Sequence, residues 1–130
     1  MDRNLMNISK VESYLNSIID NVVSDNTFVG TLPSTIKSEW KDMVLIDCSD
    51  GFGDYDAYGR GYVLIWLYVK PNSDGTKNVA HMSRLESRLN EVIHNARDPH
   101  YIINRRGTYQ DYDDARQWHC NIVEININIV

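Results

Sequence analysis

The residues best suited to metal chemistry lie in a segment rich in aspartate, glycine and tyrosine, just before an apolar run. Calcium loops carry oxygen ligands at positions one, three and five, and a glutamate at position twelve. Counted from Asp54, the segment has Asp56 at position three. Tyr58 stands at position five and Ile65 at position twelve, so the closing carboxylate is missing. We predict a long β-hairpin connection without a metal, and the alternative is a metal site in which Asp50 joins the two aspartates.

No other group of side chains has the spacing of a metal or catalytic site. Among the four histidines, only His119 stands next to a thiol, that of Cys120. Neighbouring residues of a strand point to opposite faces, so these two cannot share one zinc ion. Phosphate-binding and nucleophile motifs are absent from the sequence. We therefore predict a protein that is not an enzyme and has no cofactor, with Cys48 and Cys120 as reduced core residues.

Length and charge restrict the class of protein further. The 130 residues suit one domain, which we place at residues 1–130. The formal net charge of −5 argues against nucleic-acid binding, because phosphate contacts depend on clustered lysine and arginine. No stretch approaches the ~20 apolar residues that a membrane-spanning helix needs, and the first ten residues do not look like a secretion signal. We expect an intracellular origin and no membrane partner.

One charged segment stands out near the end of the chain. Arg105 and Arg106 form a basic pair, and the aspartates at 111, 113 and 114 follow closely. Such a mixed patch suits a contact with another protein, and a solvated hairpin tip is an equally good interpretation. Trp118, just beyond the charges, has the position of an anchor at the base of the hairpin.

The periodicity of apolar residues predicts two helices and four strands. The first helix has its buried stripe at Ile8, Val11, Leu15, Ile18 and Val22. A connection over 21–35 follows, with at most a short helical turn at 35–40, and the second helix is predicted at about 77–95. The strands are predicted at 43–48, 61–70, 101–104 and 118–130. The order α-β-β-α-β-β indicates a single α/β (α+β) domain, with a mainly antiparallel sheet packed against two helices.

The second predicted strand is apolar on both faces. Its alternating positions put Tyr62, Leu64, Trp66 and Tyr68 on one side and Val63, Ile65, Leu67 and Val69 on the other. One face must meet the helices. The other is covered either by a partner or by a helix or loop of the same chain, and the sequence leaves both open.

The element order and the ending "RRGTYQDYDDARQWHCNIVEININIV" resemble the tail terminator proteins of long-tailed bacteriophages. The most specific likeness to the lambda-like members is an Asp-Asp-Ala-x-x-Trp element, here Asp113, Asp114, Ala115 and Trp118, followed by an alternating final strand. The likeness covers residues from about Ile8 to Val130. The aromatic second strand and the first loop depart from the lambda-like pattern, so no single residue is carried over as a tube or head contact.

This resemblance implies a structural virion protein without an active site. Family members form homo-hexameric rings that cap the tail tube, stop its polymerisation and dock to the head, so the implied partners are further copies of the chain, the tail tube protein and a head completion or connector protein. The implied location is the phage tail or neck, after assembly in the host cytoplasm. The alternative is a metal-binding or small α/β interaction module with a non-viral role. Our candidate interface residues are Tyr55, Tyr58, Arg60, Arg105, Arg106, Tyr109, Asp111, Asp113, Asp114 and Trp118.

Overall fold

A computed structural model describes residues 8–48, 52–55 and 58–129, and for residues 52–55 and 58–60 it describes the backbone only. These described residues form two helices and six strands. Their bounds are α1 Ile8–Ile19, β1 Thr27–Val29, β2 Asp42–Asp47, β3 Phe52–Tyr55, β4 Tyr58–Val69, α2 Val79–Asn95, β5 Tyr101–Asp113 and β6 Trp118–Ile129.

All strands belong to one sheet in the order β1-β2-β4-β6-β5, and β3 pairs with the first residues of β4. Every pairing is antiparallel except that of β1 with β2. The predicted α+β fold with a mainly antiparallel sheet is confirmed. Two strands were not predicted: β1 lies in the segment expected to be a connection, and β3 lies in the aspartate-rich segment. Both are too short for an alternating pattern to identify them.

Both helices pack on one face of the sheet, which we call the helix face. α1 contributes Val11, Leu15 and Ile19, which are buried in one cluster with the odd-numbered apolar residues of β4 and β6. Full burial of such side chains contributes roughly 1.5–3 kcal/mol each. The predicted faces of β4 and β6 are confirmed, because the buried helix-face residues are Val63, Ile65, Leu67, Val69, Val123, Ile125, Ile127 and Ile129.

The end of α1 differs from the prediction. Val22 was placed on the buried stripe, but it is 55% exposed and Val23 is buried in its place. The helix stops at Ile19, and Asn21 adopts a left-handed φ of 62°, which turns the chain toward β1. Asparagine tolerates this conformation better than most residues. Helical spacing therefore no longer applies to residues beyond Ile19.

The opposite side of the sheet, the second face, is covered over one half by the chain itself. Met43, Leu45, Tyr68, Trp118 and Cys120 form a second buried cluster there. The 30–41 segment, which joins β1 to β2, lies over it with Leu32, Ile36 and Trp40. For this half, a loop of the same chain is the cover, which decides between the two alternatives that the sequence left open.

The other half of the second face carries Tyr62, Leu64 and Ile122, and we call these residues the open half. They alternate with the buried helix-face residues of β4 and β6, and Leu64 pairs directly with Glu124. All three are only half-buried, and they belong to neither of the two clusters of described residues.

No described helix has the length and apolar character needed to span a membrane.

Candidate functional site

The charged segment is a strand and not a projecting hairpin. β5 runs from Tyr101 to Asp113 and pairs with β6 along its length, and β6 pairs in turn with β4 as far as the Val69 and His119 pair. The prediction of a short strand followed by a polar excursion was wrong. A polar sequence is compatible with a strand here because β5 is the last strand of the sheet and most of its side chains meet solvent.

The predicted basic pair is divided between the two faces. Arg105 lies on the helix face, where its Nη1 donates to Asn90 Oδ1 of α2 at 2.6 Å and its Nη2 donates to Thr108. Arg106 has no paired position, because a bulge shifts the register between Arg105 and Gly107. Its guanidinium lies 4.6 Å from the ring centroid of Tyr62 on the second face. The two arginines therefore do not form one basic patch.

The Asp-Asp-Ala-x-x-Trp element forms the turn between β5 and β6. Asp113 accepts hydrogen bonds from the backbone N of Arg116 at 3.1 Å and from its Nη1 at 2.9 Å. Gln117 adopts a left-handed φ of 60° and donates its N–H to the Asp113 carbonyl. Trp118 is 7% exposed and packs in the second cluster. The predicted burial of Trp118 is confirmed, but it lies beside the turn, opposite Asp113, and not at the base of a projecting hairpin. Asp113 has a structural role in the turn.

The remaining candidates on β5 are accessible. Tyr109 is 55% exposed and its hydroxyl donates to Glu124 on the second face at 3.2 Å. Tyr112 is 41% exposed and lies edge-on to His119, with the ring centroids 4.9 Å apart. Asp111 is exposed, and its carboxylate accepts a hydrogen bond from the backbone N–H of Tyr112. Asp114 is exposed in the turn. The outer strand thus presents aromatic and acidic groups to solvent.

The aspartate-rich segment is described only where it pairs as β3 and β4. Phe52–Tyr55 pairs with 58–61, so the backbone of Asp54 lies in β3 and those of Tyr58 and Arg60 lie in β4. Asp50 and Asp56 lie outside the described residues, as do the side chains of Asp54, Tyr55, Tyr58 and Arg60. In the part of the chain whose side chains are described, no three metal-binding groups come together.

A polar cluster that the sequence analysis missed joins α2 to β2. His81 Nε2 lies 2.6 Å from Asp42 Oδ2, and the Ser24 hydroxyl donates to Asp42 Oδ1 at 2.5 Å. The Arg84 guanidinium, which can only donate, lies 2.8 Å from His81 Nδ1. Nε2 is therefore the protonated nitrogen and donates to the carboxylate. These residues are too far apart in sequence for any spacing rule to have found them.

This cluster borders an open cleft of about 700 Å³ between the 21–26 turn and residues 39–42. The order of its groups matters for chemistry. The carboxylate of Asp42 stands between the Ser24 hydroxyl and the His81 imidazole, whereas a hydrolytic triad needs the imidazole in the middle to take the hydroxyl proton. In this arrangement the cluster ties three segments together and does not activate Ser24.

β5 is also tied to α2 by a second polar contact. Lys77, just before α2, donates from Nζ to Gln110 Oε1 at 2.9 Å and to Asn121 Oδ1 at 2.8 Å. Buried Asn121 donates in turn to Glu86 of α2. Together with Arg105 and Asn90, these bonds fix the helix-face side of β5 and leave its outer edge unpaired by any described strand.

Comparison with models of protein families gives no match, and comparison with curated protein sequences gives none. The functional assignment therefore depends on the residues, on their geometry and on the resemblance described above.

Proposed function

We propose that this protein is a tail terminator, or a closely related head–tail joining protein, of a long-tailed bacteriophage. In this role it forms a ring of identical subunits, with six as the number that the resemblance implies. The ring caps the tail tube and presents a face to the head. The proposal is supported by the α+β fold and by the Asp113 to Trp118 element, which forms a compact turn at the base of the final strand.

The open half of the second face is the observation that carries the proposal. Tyr62, Leu64 and Ile122 place aromatic and aliphatic groups on a sheet surface that neither the helices nor the 30–41 segment covers. Arg106 and Glu124 border them with opposite charges. An apolar centre with a polar rim is typical of protein interfaces. A ring protein needs such adhesive surfaces and no active site.

Light scattering and electron microscopy of the purified full-length chain test the proposal. We expect closed rings with a mass several times the 15.0 kDa of the chain, either in solution or after addition of tail tubes. Leu64→Asp should abolish rings, and Leu64→Lys, whose charge is opposite to those of its cross-strand neighbours Asp47 and Glu124, should abolish them with the fold retained. The matched control is Val79→Asp, at a residue 65% exposed at the start of α2, which should assemble normally.

Two results would count against the proposal. A chain that stays smaller than a ring at high concentration and also with tail tubes present would favour the small interaction module. Rings that form equally well with Leu64→Asp would show that the open half is not the adhesive surface.

A further inference from the structure

The outer edge of β5 is a thirteen-residue strand with no strand beyond it among the described residues. Such an edge presents a row of backbone N–H and C=O groups that a further strand can pair with. Proteins often protect edges with charges, and β5 carries several. The signs and positions of those charges decide which strand the edge accepts.

The charges on β5 are arranged about Tyr109. Arg106 and Asp111 lie on opposite sides of it along the strand, and all three side chains are on the second face. Arg106 stacks on Tyr62, the Tyr109 hydroxyl bonds Glu124, and Asp111 pairs with Cys120 of the second cluster. The bulge makes Arg106 and Gly107 share one opposing position, so Arg106 is effectively two positions from Tyr109, as is Asp111.

We propose that a second copy of this chain docks here, with the two β5 strands antiparallel about a two-fold axis at Tyr109. Residues equally spaced from the axis then face each other on the same side of the sheet. On docking, the Arg106 side chain turns from the Tyr62 ring toward the outer side of the strand, so that Arg106 of each copy meets Asp111 of the other, and the two Tyr109 rings lie across from each other. The two sheets become one continuous sheet.

Charge selects this arrangement over its alternatives. A parallel, in-register pairing would set Arg106 against Arg106 and Asp111 against Asp111, which is destabilising. The antiparallel arrangement forms two opposite-charge pairs with a single interface. Because a two-fold contact uses the same surface on both subunits, it closes at a dimer. The inference therefore goes beyond the proposed function and stands whether or not the protein caps a tail.

Disulfide trapping of the full-length protein tests the axis directly. Residues opposite each other in an antiparallel pair lie about 4.5–5.5 Å apart at Cα, within the range that a disulfide accepts. Tyr109→Cys should therefore form a covalent dimer on oxidation. The native cysteines are buried and should not interfere. The control is Ile102→Cys, 48% exposed on the same strand but far from the axis, which should stay monomeric on a non-reducing gel.

A charge swap tests the pairing. By sedimentation, Asp111→Arg should raise the dimer Kd about ten-fold or more, because each new arginine faces Arg106. Combining it with Arg106→Asp restores opposite charges and should recover most of the affinity. Asp114→Arg makes the same charge change in the exposed turn, outside the paired residues, and should leave the Kd unchanged.

A chain that is monomeric at all concentrations would overturn the inference, as would a dimer that ignores Asp111→Arg or cross-links equally well through Ile102→Cys. The two proposals fail separately. Rings that are lost with Leu64→Asp but unaffected by Asp111→Arg would support the tail role and reject the β5 pairing. A dimer that is sensitive to Asp111→Arg, from a protein that forms no rings, would support the β5 pairing and reject the tail role.

Discussion

Trp118→Ala is expected to lower the free energy of unfolding by about 3 kcal/mol. The indole is 7% exposed and packs in the second cluster with Met43, Leu45 and Tyr68. Emptying a buried aromatic site costs roughly 3–5 kcal/mol. We expect the lower end of this range, because the 30–41 segment that covers the cluster is a connection and can partly collapse into the space.

This loss would be a large part of the roughly 5–15 kcal/mol that stabilises a typical domain. Urea unfolding followed by circular dichroism measures it directly. For a chain of this size the melting temperature should fall by roughly 10 °C. Trp118→Phe should lose less, because the phenyl ring fills much of the same volume. Tyr112→Ala is the matched control on the outer strand, where the side chain is 41% exposed, and should change the free energy little.

A loss below about 1 kcal/mol for Trp118→Ala would refute this reasoning. It would mean that the second cluster is not closely packed and that the 30–41 segment does not stabilise the sheet. A loss equal to that of Tyr112→Ala would lead to the same conclusion.

Three further predictions can be tested on the same protein. Burial raises the pKa of Cys48 to about 12 and that of Cys120 to about 11, so neither thiol should react with Ellman's reagent at pH 8 until the chain unfolds. The free energy of unfolding should also fall as pH rises from 9 toward 12, because the thiols of the unfolded chain ionise first. Asp54→Asn combined with Asp56→Asn should change the free energy of unfolding by less than ~0.5 kcal/mol, and calcium should not alter the melting temperature of either protein; a calcium-dependent difference would revive the metal site. Arg106→Glu should weaken self-association more at low salt than at high salt, with the fold retained because the Arg105 bond to Asn90 is kept, and unchanged association by light scattering would contradict a joining role for β5.

Most of the fold could be predicted because it follows short periodic patterns. Val123, Ile125 and Ile127 alternate with polar residues, and this alone identified the buried face of β6. The full length of β5 could not be predicted in this way. An edge strand has little apolar surface to bury, so the run from Arg105 to Asp113 has no alternation of apolar and polar residues. β1 was missed because three residues are too few to define a period.

The candidate site was predicted only in part. Trp118 was identified as an anchor from its position between the charged segment and the alternating final strand. The separation of Arg105 from Arg106 follows from their being neighbours on a strand, and it was not predicted because the sequence did not identify this part of the chain as a strand. The Asp42 and His81 contact could not be predicted either, since it depends on tertiary packing between residues 39 positions apart.

The Asp42 carboxylate has a consequence for how the native state opens. It accepts a hydrogen bond from the hydroxyl of Ser24, 18 residues earlier in the chain, and another from the imidazole of His81, 39 residues later. Neither the turn after α1 nor the first turn of α2 can move away without breaking a hydrogen bond to the same group. Local fluctuations of the two segments are therefore coupled, and their amides should exchange with solvent deuterium as one cooperative unit. Asp42→Ala would divide that unit into two that exchange at independent rates.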